Sequence, residues 1–146
     1  LSKELEQFGS LFNMTPSVSI LHYVEEANDI TKELESLVES VDGKVKTIEN
    51  NPPLNYLRRE AKHSGFDYVI ISCSIVENKD KNSFMNLISK ALRDSGYMII
   101  LEDKAQSLDS VYELLETYDY GAVNSIDIFE KYNLIMAKKL HMWGMD

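Results

Sequence analysis

Stretches with the two-residue rhythm of strands alternate with stretches of 3.6-residue period along most of the chain, and this alternation restricts the fold more than any other feature. A strand, a helix and a second strand in succession need a crossover that returns the chain to the same end of a sheet, so neighbouring strands run parallel. The first strand is read at Ser17 to Val24, after Pro16. Asn28 or Asp29 caps a helix bearing Ile30, Leu34, Leu37, Val38 and Val41 on one face, and Gly43 ends it. Lys44 to Glu49 alternates as a short second strand, and Pro52-Pro53 opens a second helix that Gly65 closes. Phe66 to Cys73 is a continuous apolar run, as expected of a strand covered on both faces, and belongs at the centre of the sheet. A helix with Phe84, Leu87, Ile88, Ala91 and Leu92 inward, a fourth strand at Tyr97 to Leu101 and a helix starting at Ser107 follow. The pattern then changes. Asn124 to Phe129 and Leu134 to Ala137 read as strands with only Glu130 to Asn133 between them, which is hairpin length and makes the last pair antiparallel.

The predicted fold class is therefore α/β: a three-layer, Rossmann-like, mostly parallel sheet of about six strands with a C-terminal antiparallel hairpin. Residues 1–146 are read as one domain that includes an N-terminal helix over 1–13, whose Leu5, Phe8, Leu11 and Phe12 dock on the body. If the first strand lies between the second strand and the strand at Phe66, the strand order reverses there. A crevice then opens at their C-terminal ends, lined by Tyr23, Val24, Glu25, Ser72, Cys73 and Ser74.

Charge narrows the partners. The formal charge of −9 disfavours a broad grip on nucleic acid or an anionic membrane. Arg58, Arg59, Lys62 and His63 form the one local basic cluster, where a helix C-terminus explains them by its dipole. No window approaches the ~20 apolar residues of a membrane span. The single cysteine, Cys73, permits no internal disulfide and fits a reducing, cytoplasmic setting. His22, His63 and His141 lack a second ligand at helical spacing, so no metal is expected. A thiol-imidazole pair of Cys73 and His22 is conceivable, yet a lone cysteine is far more often a small hydrophobe than a nucleophile. Glu102-Asp103 and Glu77 project near one rim, where hydrated loop acids are the plainer reading than an acid-base pair.

Three segments carry a resemblance to the class I S-adenosylmethionine-dependent methyltransferases. Phe66 to Ser72 is similar to that family's central strand, Ala91 to Ile100 to the turn into its fifth strand, and Ile126 to Lys138 to its closing hairpin. The resemblance implies S-adenosylmethionine as cofactor and, residue by residue, Tyr23, Glu25, Glu49, Ser72 and Ser74 as its binding set. Glu49 is the counterpart of the acid that binds ribose hydroxyls in the family. The departures are as informative. The family's glycine-rich loop after the first strand lets bare backbone approach the cofactor, whereas here that loop reads Tyr23-Val24-Glu25-Glu26-Ala27-Asn28. The interval from Glu49 to Phe66 holds one helix and no third strand, so one edge of the sheet is trimmed. The sequence thus predicts a methyltransferase-like domain that has lost normal catalysis, expects no cofactor, and acts as a binding or assembly module with itself or a protein partner. The alternative is an active methyltransferase with a variant cofactor loop. Catalytic residues are not assigned.

Overall fold

The computed structural model describes residues 2–61 and 65–140. Their elements are α1 (Lys3–Gly9), β1 (Ser19–Val24), α2 (Asp29–Glu39), β2 (Lys44–Glu49), α3 (Leu54–Glu60), β3 (Phe66–Ile71), α4 (Lys81–Ala91), β4 (Leu92–Asp103), α5 (Asp109–Thr117), β5 (Tyr120–Ile126) and β6 (Tyr132–Lys139). The six strands form one sheet in the order β2-β1-β3-β4-β6-β5. The first four run parallel, and β6 is antiparallel to both β4 and β5. This is the α/β, Rossmann-like sheet with a C-terminal antiparallel hairpin that the periodicity predicts.

Strand alternation sorts the apolar side chains onto two faces. Leu21, Tyr23, Val69, Ile71, Met98 and Ile100 meet α3, α4 and α5 through Leu57, Phe84, Ile88 and Leu115. Ile20, Tyr68, Ile70, Ile99 and Leu101 face the other way, onto Phe8 of α1 and Ile30, Leu34 and Val38 of α2. The N-terminal segment docks as expected: Phe12 packs edge-on to Tyr68 at 4.8 Å, and the Asn13 amide donates to the Tyr68 hydroxyl. Helix α2 starts where the sequence predicts, because the Asn28 side chain accepts from the amides of Ile30 and Thr31 while Thr31 Oγ1 accepts from the Asn28 amide.

Several boundaries differ from the sequence reading, among them the end of α1, at Gly9 rather than residue 13, and the span of β6, Tyr132–Lys139 rather than Leu134 to Ala137. Strand β4 begins at Leu92 rather than Tyr97, because Leu92 pairs with Phe66 before a register shift brings Tyr97 opposite Tyr68. Gly96 makes this bulge possible: a β-carbon there would lie 2.9 Å from the Arg93 carbonyl oxygen and 3.0 Å from that of Asp67. Strand β5 starts and ends earlier than predicted, at Tyr120 and Ile126, since Phe129 turns in to pack on Phe8. Lys139 then locks hairpin to helix, its Nζ donating to the Ser89 and Leu92 carbonyls at 2.6 Å each, at the C-terminus of α4.

Among the described residues β2 has no strand beyond it, and it exposes Lys44 and Lys46, side chains that discourage edge-to-edge pairing. No helix among the described residues is long and apolar enough to cross a membrane.

Candidate functional site

Strand β1 is flanked by β2 and β3, so the strand order reverses at β1 and a crevice opens past the C-terminal ends of β1 and β3. The backbone ties its rim together. The Ser72 amide donates to the Tyr23 carbonyl at 2.8 Å, and the Asn50 amide to the Glu25 carbonyl at 2.9 Å. Asn50 and Asn51 take left-handed backbone angles, φ 67° and 42°, which asparagine tolerates better than most residues. This turn carries Asn51 into the crevice, where its Oδ1 accepts from the Tyr23 hydroxyl at 2.5 Å.

Tyr23 dominates the space. Its side chain is buried, and its ring stands edge-on to Phe84 with centroids 4.8 Å apart. What remains is a cleft of about 240 Å3 lined by Tyr23, Glu25, Asn51, Cys73, Ser74 and Glu77, among others. Burial pushes the Tyr23 hydroxyl up to about 12, with help from Cys73 and Glu25. Burial likewise pushes the Cys73 thiol up to about 12, reinforced by Glu25 and Glu102. At neutral pH Cys73 is a thiol and not the thiolate that attacks electrophiles.

Cys73 and His22 do not pair, in keeping with the reading of Cys73 as a small hydrophobe rather than a nucleophile. His22 and Tyr23 are successive residues of one strand and point to opposite faces. The His22 ring is fully buried, with Nε2 3.0 Å from Ser72 Oγ and Nδ1 3.4 Å from Thr31 Oγ1. Burial drops its pKa to about 4, so the ring is neutral. Glu102 is a correction to the sequence reading. Far from being a hydrated loop acid, it is fully buried, accepting from Ser74 Oγ at 2.5 Å and from the Ile75 amide at 3.0 Å. Its carboxylate therefore pins the chain after β3 that forms one wall of the cleft. Above it, the Gln106 amide nitrogen donates to Glu77 Oε1 at 2.6 Å.

The residues expected to hold a cofactor are not gathered in one place. Tyr23, Glu25 and Ser74 line the cleft, and Ser74 spends its proton on Glu102. Ser72 Oγ is engaged with His22. Glu49 accepts from the Ala27 amide at 3.0 Å and borders a wider, open groove with Asn50, Pro52, Tyr56 and Arg59. The loop from Glu25 to Asn28 has no residue at positive φ, so it follows a path that needs no glycine. Sequence reasoning missed Asn51 and Phe84 as cleft residues. The Asn50-Asn51-Pro52-Pro53 run was the available signal, since it marks a turn built around left-handed asparagines. Among the described residues, no three His, Cys, Asp or Glu side chains converge as a metal site.

The sheet order, the switch point at β1 and the closing antiparallel strand define a class I methyltransferase-like fold. Solved structures of S-adenosylmethionine-dependent methyltransferases superpose on it. An O-methyltransferase from Thermotoga maritima matches with a TM-score of 0.71 at 10% identity, over 96% of this chain and 66% of that one. A methyltransferase from Aquifex aeolicus gives 0.65 at 15% identity, covering 93% and 89% of the two chains. A release-factor-specific protein-(glutamine-N5) methyltransferase from Alicyclobacillus acidocaldarius gives 0.61 at 10% identity, covering 94% and 90%. The chain thus spans about two thirds of the Thermotoga enzyme's length and nine tenths of the other two. No protein-family model matches the sequence, and no curated protein matches it. At these identities the likeness defines the fold and leaves the activity to the site.

Proposed function

We propose that this methyltransferase-like domain has given up S-adenosylmethionine chemistry and serves as a binding or assembly module. The occupation of the crevice by Tyr23 carries this reading. Its ring is wedged against Phe84 and its hydroxyl is tied to Asn51 in the place where the fold offers a cofactor its room. The space left, about 240 Å3, falls below the roughly 300–1,000 Å3 of small-molecule sites. Side chains at every position of the loop from Glu25 to Asn28 add bulk where close backbone approach is needed. The loss of the third strand removes the wall beyond Glu49, and Glu49 itself is turned to the Ala27 amide. Self-association is the form of assembly put forward.

The rival reading is a working methyltransferase that holds the cofactor in a variant pose through Tyr23, Glu25, Glu49, Ser72 and Ser74. One observation favours it: Glu49 ends β2 beside the crevice, where an acid binds ribose hydroxyls in proteins of this fold. Calorimetric titration of the protein with S-adenosylmethionine and S-adenosylhomocysteine separates the two. Our reading expects no saturable heat at ligand concentrations up to about 1 mM, where binding would be worth about 4 kcal/mol. Micromolar binding that disappears in Glu49→Ala overturns it. Sedimentation velocity across a concentration series tests assembly, and a monomer throughout removes self-association.

A further inference from the structure

A second groove, unrelated to the crevice, lies between α3 and α4 on the outer surface of one helical layer. Its volume is about 360 Å3, within the size range of small-ligand sites, and it is lined by Arg58, Ala61, Ser83, Asn86, Leu87 and Lys90. The spacing explains why these side chains meet. Ser83, Asn86, Leu87 and Lys90 recur at three, four and seven along α4, so they form one stripe, and Arg58 and Ala61 are three apart on the facing segment. Ala61 is buried and Leu87 half-buried, which gives an apolar floor.

Both walls carry positive charge, and among the described residues that line the groove there is no acid. Among the described residues Arg58 and Lys90 have no ion-pair partner, and the side chains of Ser83 and Asn86 make no hydrogen bond. Two cations facing one groove repel each other unless an anion lies between them. The surroundings sharpen the contrast. Residues 44–61 hold Lys44, Lys46, Arg58 and Arg59 against only Glu49 and Glu60, in a chain of net charge −9. The two cations that line the groove, Arg58 and Lys90, are of the sign that attracts anions.

We infer that the groove between α3 and α4 is a binding site for a small phosphomonoester, with the phosphate between Arg58 and Lys90 and its apolar substituent on Ala61 and Leu87. The donor set selects phosphate over carboxylate. A phosphomonoester brings three terminal oxygens and about −1.5 to −2 charges at pH 7. One oxygen pair suits the fork of the guanidinium, and the third oxygen, with the lone pairs the first two keep free, suits the point charge of Lys90 and the hydroxyl and amide of Ser83 and Asn86. A carboxylate has two oxygens and one charge, enough for Arg58 alone.

The test is a titration of the 15N-labelled protein with phenyl phosphate, inorganic phosphate, benzoate and hexaglutamate, followed by amide shifts. Saturable shifts confined to residues 54–61 and 83–90 are expected with phenyl phosphate, weaker with inorganic phosphate, and weakest with benzoate. Arg58→Ala and Lys90→Ala should each weaken phenyl phosphate about 10-fold, the loss of one charge-assisted contact. Lys90→Arg should keep the affinity, and circular dichroism should find all variants folded, since both side chains are exposed. The inference fails if no saturable shifts occur, if the double alanine variant binds as the parent does, or if benzoate or hexaglutamate binds more tightly than phenyl phosphate. The groove and the crevice share no lining residue, and the two tests use different ligands, so either proposal can fail alone.

Discussion

Removing the buried carboxylate of Glu102 tests how the cleft wall is held. Glu102 takes two hydrogen bonds, one from Ser74 Oγ and one from the Ile75 amide, at a position with no solvent exposure. Glu102→Ala strands the amide donor in the interior, where water cannot replace the lost partner. Bonds to a charged acceptor are worth about 1.5–3 kcal/mol each, so the substitution should cost about 3–5 kcal/mol. At about 3 °C per kcal/mol for a chain of this size, the melting temperature should fall by about 10 °C or more. Glu102→Gln keeps one acceptor oxygen but presents an NH2 to the other donor, so about half of the loss should remain. Ser74→Ala removes one of the two bonds and also the acceptor of the Glu77 amide, which lies 3.1 Å from Ser74 Oγ. Urea melts of the two single variants and the double variant give the coupling energy, expected at about 1–2 kcal/mol. If Glu102→Ala unfolds within about 0.5 kcal/mol of the parent, like an ordinary surface change, the clamp does not exist.

Other consequences follow from the same geometry. Because burial lowers the His22 pKa from 6.5 to about 4, the unfolded chain binds the extra proton first as pH falls. Stability should be complete above pH 6.5 and decline by about 3 kcal/mol down to pH 4, and His22→Gln should flatten that part of the curve in urea melts. A thiol pushed from 9.0 up to about 12 has roughly a thousandth of the ordinary thiolate fraction at pH 8. Cys73 should accordingly react with a disulfide reagent far more slowly in the folded protein than in urea, and fast labelling of the native state would contradict the raised pKa of this half-buried thiol. Gly96→Ala should destabilise by about 1–3 kcal/mol, because the added carbon meets backbone on two sides, and a neutral effect in thermal melts would mean the bulge is loose.

The order and type of the elements were legible because each has a strong local period, and the strand at Phe66 to Ile71 announced itself as central by the apolar run Tyr68 to Ile71, which alternates with no polar residue. The crevice followed from topology, since a reversal of strand order at β1 needs only the sequence of strands and helices. Parity would also have separated His22 from Cys73: Leu21 and Tyr23 go to one face, so His22 goes to the other. Glu102 was out of reach. Its partners lie 28 and 27 residues earlier in a loop, and no local pattern in the sequence says that an acid at a strand end turns inward. The extent of β4 was hidden for a similar reason, because Leu92 joins the sheet only through its pairing with distant Phe66.

Strand β6 sits between β4 and β5 although it is made after both. On the ribosome, β5 therefore emerges with no neighbour to pair with and must wait beside a gap until Tyr132 to Lys139 arrive to fill it. The far side of the sheet closes in a single late step, and a nascent chain halted before Tyr132 would leave the outer edge of β4 and the whole of β5 unpaired at once.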